Sequence, residues 1–189
     1  MKDGYIKKYM ERNTLSESTI DYGYITGTTI PRDFLRVKIF EGFVLGNRVS
    51  QNKKDYSYED YTFAFSSEFQ WVQDYIRDHF DLKYNKQLIP KIHWGNIYGP
   101  LEQSYSRTQI NPLNLKNSPD YTWIYGVDVQ KDSCELVIEY DDNRRKGRTW
   151  HIPVENNKFI IFPSTHRYFI SKNKGAQMNI FLSMNCEYV

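Results

Sequence analysis

Cysteine and alanine are both scarce in this 189-residue chain, and each scarcity excludes something. Two cysteines, Cys134 and Cys186, are too few for a disulfide framework or a cysteine-rich zinc site. Two alanines, Ala64 and Ala176, argue against a helical bundle, because alanine is the best helix former. An excess of one charge is missing too. The 25 basic and 23 acidic residues leave a net charge of +2, so nucleic acid is not an expected partner and an acidic tail is excluded. No apolar run approaches the roughly 20 residues needed to cross a bilayer, so no membrane association is expected. The opening residues, with Lys2, Asp3, Lys7 and Lys8, lack the apolar stretch of a signal peptide, and secretion by that route is not expected. Phosphate-binding loops, nucleophile elbows, zinc-binding helices and dinucleotide glycine patterns are all absent.

Aromatic residues are abundant: 16 Tyr, 11 Phe and 4 Trp. Such residues suit a pleated, half-buried surface, so a β-rich domain with one or two helices is expected. Residues 1–30 are polar and aromatic without a sustained period and read as a loose N-terminal arm. Pro31 stands where a helix would begin, and Phe34, Leu35, Val37, Ile39 and Phe40 follow. The pattern allows a short helix ending near Gly42 or Gly46, and its β-branched content also permits a strand. Residues 47–61 form a charged loop. Ser67 with Gln70 makes a capping box, and Phe69, Val72, Ile76 and Phe80 form a stripe, which predicts a helix over 67–81 packed on a sheet. Strands are then expected at 92–98, 121–129, 135–140, 149–152, 158–162, 168–170 and 177–184. Short strands at this spacing indicate a sandwich, barrel or jelly roll. The expected division is an arm at 1–30 and a single domain at 31–189, with a helical part at 31–89 and a β core at 90–189.

Four segments carry a family resemblance. They are Trp94-Gly95-Asn96-Ile97-Tyr98, the run from Tyr121 to Val129, the run from Cys134 to Tyr140, and Phe159-Ile160-Ile161-Phe162-Pro163-Ser164. In order and spacing the second half of the chain resembles the double-stranded β-helix, a cupin-like jelly roll, of the 2-oxoglutarate/Fe(II) dioxygenases. The likeness is greatest to the small prolyl-hydroxylase-like proteins of tailed phages. The resemblance implies a mainly β fold with one or two N-terminal helices packed on the sheet. It also implies an iron held by two histidines and a carboxylate, and a basic residue clamping 2-oxoglutarate.

Carried over residue by residue, the resemblance puts Gln109 and Asn111 at the first two ligand positions and Tyr168 at the distal one. Gln177 falls at the co-substrate arginine. Neutral amides bind Fe(II) poorly, so an empty metal site is expected, closed by hydrogen bonds among Gln109, Asn111, Tyr168 and Gln177, with no cofactor. The four histidines have ordinary readings, His79 at a helix end, His93 and His151 beside tryptophans. A rebuilt site could use His151 or His166 with Glu139, Asp141 or Asp142.

Arg144, Arg145, Lys146 and Arg148 form a basic hairpin tip, and Tyr56, Tyr58 and Tyr61 a tyrosine cluster. Both are candidate interfaces to protein subunits of a larger assembly or to a second copy of the chain. Trp71, Trp94, Trp123 and Trp150 suit core, interface or sugar stacking. The expected function is accordingly a non-catalytic structural or interaction protein of a tailed-phage virion (neck, tail or baseplate), located in host cytoplasm and then the particle. Two alternatives stand beside it: an Fe(II)/2-oxoglutarate-dependent hydroxylase with a divergent site, and a metal-free cupin-like sugar binder.

Overall fold

The computed structural model describes residues 18–27, 30–49, 57–58, 67–84, 87–143 and 146–189. Among these residues two α-helices and nine strands follow one another in the order β1 (Asp21–Tyr24), α1 (Arg32–Val49), β2 (Ser57–Tyr58), α2 (Ser67–Tyr84), β3 (Leu88–Tyr98), β4 (Tyr121–Asp128), β5 (Glu135–Asn143), β6 (Lys146–Pro153), β7 (Lys158–Pro163), β8 (Arg167–Ile170) and β9 (Asn179–Tyr188), with a short 3-10 turn at Leu115–Asn117. The strands form a six-stranded sheet, β1-β7-β4-β9-β3-β2, and a three-stranded sheet, β6-β5-β8. All pairings are antiparallel. Among the described residues no helix is long and apolar enough to cross a membrane.

Strand alternation makes two cores from one sheet. On one face of the large sheet Trp123, Tyr125 and Val127 of β4 join Ile180, Leu182 and Met184 of β9, under Leu35 and Ile39 of α1 and Phe69, Val72, Ile76 and Phe80 of α2. The α2 stripe therefore meets the sheet as its period predicts. On the other face Ile124, Ile160, Phe162 and Phe181 meet Leu136, Ile138, Ile152, Tyr168 and Ile170 of the small sheet. That second core fills the space between the sheets.

Several local expectations are corrected. α1 runs past both Gly42 and Gly46, carried by its buried residues Leu35 and Ile39. Gln70 does not complete a capping box; its amide donates to Asp74 at 3.0 Å, one turn along the helix. Within the arm, Asp21–Tyr24 pairs with the edge of β7 as β1.

Gly126 of β4 lies against the loop entering β7. A Cβ there would sit 2.1 Å from the Glu155 carbonyl oxygen, and the Gly126 carbonyl accepts from the Asn157 amide at 2.8 Å. Backbone meets backbone, so no flexible side chain can give way. Gly126→Ala is expected to destabilise the protein by about 1–3 kcal/mol, the usual cost of overpacking. Urea denaturation measures it, and an unchanged midpoint would mean that the loop yields freely.

Candidate functional site

The inward faces of β3, β4, β7 and β9 change character along the barrel. The middle is apolar; one end carries buried Asn179 beside Ser133, and the other carries Asn96, Thr122, Ser164, Ser183 and Asn185, all buried. A buried polar group must find a partner or lose about 1–3 kcal/mol, and these find one another. Asn96 donates to Ser183 at 2.8 Å, and Thr122 and Ser164 share a hydrogen bond of 2.8 Å. Thr122 also donates to Asn185 at 3.1 Å. Asn185 donates to the Gln109 carbonyl oxygen at 3.2 Å, and the Gln109 amide donates to the Tyr168 hydroxyl at 2.6 Å.

Gln109 reaches this network because the chain before β4 touches β8. Arg107 and Tyr168 exchange both backbone hydrogen bonds, at 3.0 and 2.8 Å, as an isolated antiparallel bridge. Residues two apart share a face, so Arg107 and Gln109 look into the barrel together. The Arg107 guanidinium lies 5.8 Å from the Trp94 ring and 5.7 Å from the Tyr168 ring, within cation–π range. Tyr98, also inside, has its phenol pushed up to about 12, chiefly by burial, against a smaller opposing effect of Arg107.

The expected four-residue network is thus half formed. Gln109 and Tyr168 meet as expected. Asn111 does not join them: it is exposed, and its side chain accepts from the Leu113 amide in its own loop. Gln177 is also exposed, beside Arg36 and Val37 of α1. The partners in their place, Asn185, Thr122 and Ser164, come from strand alternation across three strands.

Two residues before Tyr168, on the same inward parity, stands His166. It opens onto a groove of about 500 Å³ lined by Ser18, Ile20, Tyr22, Ile138, Tyr140, Trp150 and itself. Ser18 Oγ is 2.5 Å from His166 Nε2. Burial lowers the His166 pKa, which favours the neutral imidazole. One wall is the small sheet; the other is β1 and the residues leading into it. The arm thereby supplies three lining residues that sequence reasoning did not single out, because four residues pairing with a strand far along the chain leave no local period.

His151 lies elsewhere. It is exposed, 3.0 Å from Glu135, on the opposite face of the small sheet from Trp150. Glu139 accepts from Ser106 at 2.7 Å and pairs with Arg167 at 3.4 Å. The side chains of Asp141 and Asp142 lie outside the described residues; His166 shares the groove with Trp150, whereas His151 is on the other face of the small sheet, so the two histidines are not brought together. His79 bonds the Tyr75 carbonyl at 3.0 Å and stacks on the Tyr75 ring; buried His93 packs on Phe69. Trp94 and Trp123 are buried, whereas Trp71 and Trp150 are exposed. Of the candidate interface residues, Arg148 is exposed on β6. Tyr58 and Lys146 contribute backbone to β2 and β6. Tyr56, Tyr61, Arg144 and Arg145 lie outside the described residues.

Two facing antiparallel sheets with helices on the larger define the double-stranded β-helix of the 2-oxoglutarate/Fe(II) oxygenases. Among solved structures, the chain is similar to the viral collagen prolyl hydroxylase of Paramecium bursaria Chlorella virus-1. The TM-score is 0.59 and the identity 14%, over 87% of this chain and 94% of that one. It is similar to SnoK, a non-heme α-ketoglutarate-dependent carbocyclase of nogalamycin biosynthesis, with TM-score 0.61 and 9% identity over 90% and 80%. A Pseudomonas putida prolyl-4-hydroxylase gives 0.53 and 10% over 89% and 86%. No protein-family model and no curated protein matches the sequence.

These neighbours overturn the expectation of a non-catalytic phage virion component. The structures that share the fold over nearly the whole chain are Fe(II)/2-oxoglutarate enzymes, which accords with the divergent hydroxylase instead. The residues described do not, however, make a familiar iron set. Among them no three His, Cys, Asp or Glu side chains gather as a metal would require. The inward positions flanking the Arg107–Tyr168 bridge offer one imidazole, His166, and an amide, Gln109, already hydrogen-bonded at both ends. Such a set does not fit Fe(II) in the two-histidine, one-carboxylate manner.

Proposed function

We propose that this protein is a divergent oxygenase that holds an organic substrate at the mouth of its barrel and oxidises it with Fe(II) and 2-oxoglutarate, the chemistry of the enzymes whose fold it shares. The observation that carries the reading is the groove of about 500 Å³ with His166 at its inner end. Its volume lies within the roughly 300–1,000 Å³ of small-molecule sites, and its lining of rings with a few polar atoms is typical of them. Tyr22, Tyr140 and Trp150 would hold the substrate, and two residues from His166 on the chain Tyr168 is tied into the barrel by the Gln109 amide, whose carbonyl accepts from Asn185.

The test is direct. Purified protein is titrated with Mn(II) and then incubated with Fe(II), ascorbate and labelled 2-oxoglutarate. Succinate release above the protein-free rate is expected, with at least a tenfold fall in His166→Ala. Absence of both metal binding and succinate would overturn the oxygenase reading.

A further inference from the structure

Among the described residues, the groove is lined by rings and hydrogen-bonding atoms and by no charged side chain: Ser18, Ile20, Tyr22, Ile138, Tyr140, Trp150 and His166. Two of its rings are open to solvent, Tyr22 at 58% and Trp150 at 53% exposure. The charged groups nearby are turned to other work. The Lys158 ammonium donates to the Pro153 carbonyl at 2.7 Å, with the rings of Tyr22 and Tyr24 at 5.2 and 5.6 Å. Glu155 accepts from the Tyr24 hydroxyl at 2.8 Å. Glu139 is held by Ser106 and Arg167. Arg148 sits opposite Tyr140 in the β5–β6 register but does not line the groove.

From this we propose that the groove binds a neutral saccharide, its ring stacked on Trp150 and Tyr22. The inference rests on the groove being the substrate seat, and it names the substrate class. Ser18 and His166 already share a hydrogen bond, but a wholly apolar ligand would leave the polar atoms of Tyr22, Tyr140 and Trp150 to lose water without a partner, which is costly. A sugar supplies what they need. Its hydroxyls both donate and accept, matching the Ser and Tyr hydroxyls, the indole donor and a neutral imidazole, while its C–H faces lie on the rings. A phosphorylated or carboxylated ligand would bring charge into a lining whose described residues include no cation.

The experiment measures binding alone, in metal-free buffer without 2-oxoglutarate. The full chain is applied to an array of neutral mono- to tetrasaccharides, and hits are titrated by tryptophan fluorescence. Indole and the phosphate ester of a hit sugar serve as counter-probes. The expected result is saturation by a neutral saccharide at millimolar concentration or below, at least tenfold weaker in Trp150→Ala and restored to within about threefold in Trp150→Phe. Its phosphate ester should bind at least tenfold more weakly. Trp150 is exposed, so both variants are expected to keep the wild-type circular dichroism spectrum. No binding across the array, binding indifferent to Trp150, or tighter binding of indole or the phosphate ester would each overturn the inference. Saccharide binding without succinate release sinks only the oxygenase reading, and succinate release without saccharide binding sinks only this one.

Discussion

Stability is expected to collapse between pH 9 and pH 12, beginning before most lysines, with their pKa of about 10.4, lose their charge. Burial pushes the Cys134 thiol from 9.0 up to about 11 and the Cys186 thiol up to about 12. It pushes the Tyr98 phenol from 10.0 up to about 12 and raises Tyr125 as well. These groups are neutral when protonated, and the folded state resists their ionisation. Their stabilising effect is therefore whole below the unfolded pKa values and is lost as pH climbs through the folded ones. At about 1.4 kcal/mol per unit, the four together remove more than about 5 kcal/mol by pH 11. That is a large part of the ~5–15 kcal/mol of an ordinary domain. Urea midpoints measured from pH 7.5 to 11 should fall steadily above pH 9, and a Cys134→Ala/Cys186→Ala variant should lose the early part of that fall. A midpoint that stays level to pH 11 would show that these side chains reach water in the native state.

The second large effect is at Tyr168. Its side chain is 1% exposed, meets Phe162 edge-on at 4.9 Å, lies beneath Arg107 and accepts from Gln109 at 2.6 Å. Tyr168→Ala is expected to cost about 3–5 kcal/mol, as large aromatic truncations in a core do. Tyr168→Phe keeps the ring but strands the Gln109 amide, at a cost of about 1–3 kcal/mol. Gln109→Leu should cost less when added to Tyr168→Phe than when made alone, because the hydrogen bond to Tyr168 is then already gone, while the Asn185 amide that it strands is common to both. A double-mutant cycle in urea reads the coupling, and additivity of the two changes would mean that this hydrogen bond contributes nothing to the fold.

Much of the architecture was visible in the residues themselves. The α2 stripe of Phe69, Val72, Ile76 and Phe80 meets the sheet as its spacing required, and seven strands fall where alternation and turn residues indicated. The resemblance in the second half led to the right fold. Before β4 the tertiary structure decides which side chains reach Tyr168: Arg107 through a single bridge and Gln109 through its amide, with Asn111 exposed. The virion reading failed because amides at the ligand positions do not by themselves point to a particle, and the solved structures similar in fold are enzymes.

Periodicity is local, so the sequence by itself determined α2, the seven strands that follow it and their apolar faces, while it left α1 open between helix and strand and gave no sign of β1. The barrel mouth is not local. Ser18 meets His166 across 148 positions, and Tyr22 shares a groove with Tyr140 and Trp150 only because β1 docks on the edge of β7. Only the tertiary structure could decide that site, because cross-strand pairing brings together side chains whose separation along the chain carries no repeat to reveal it.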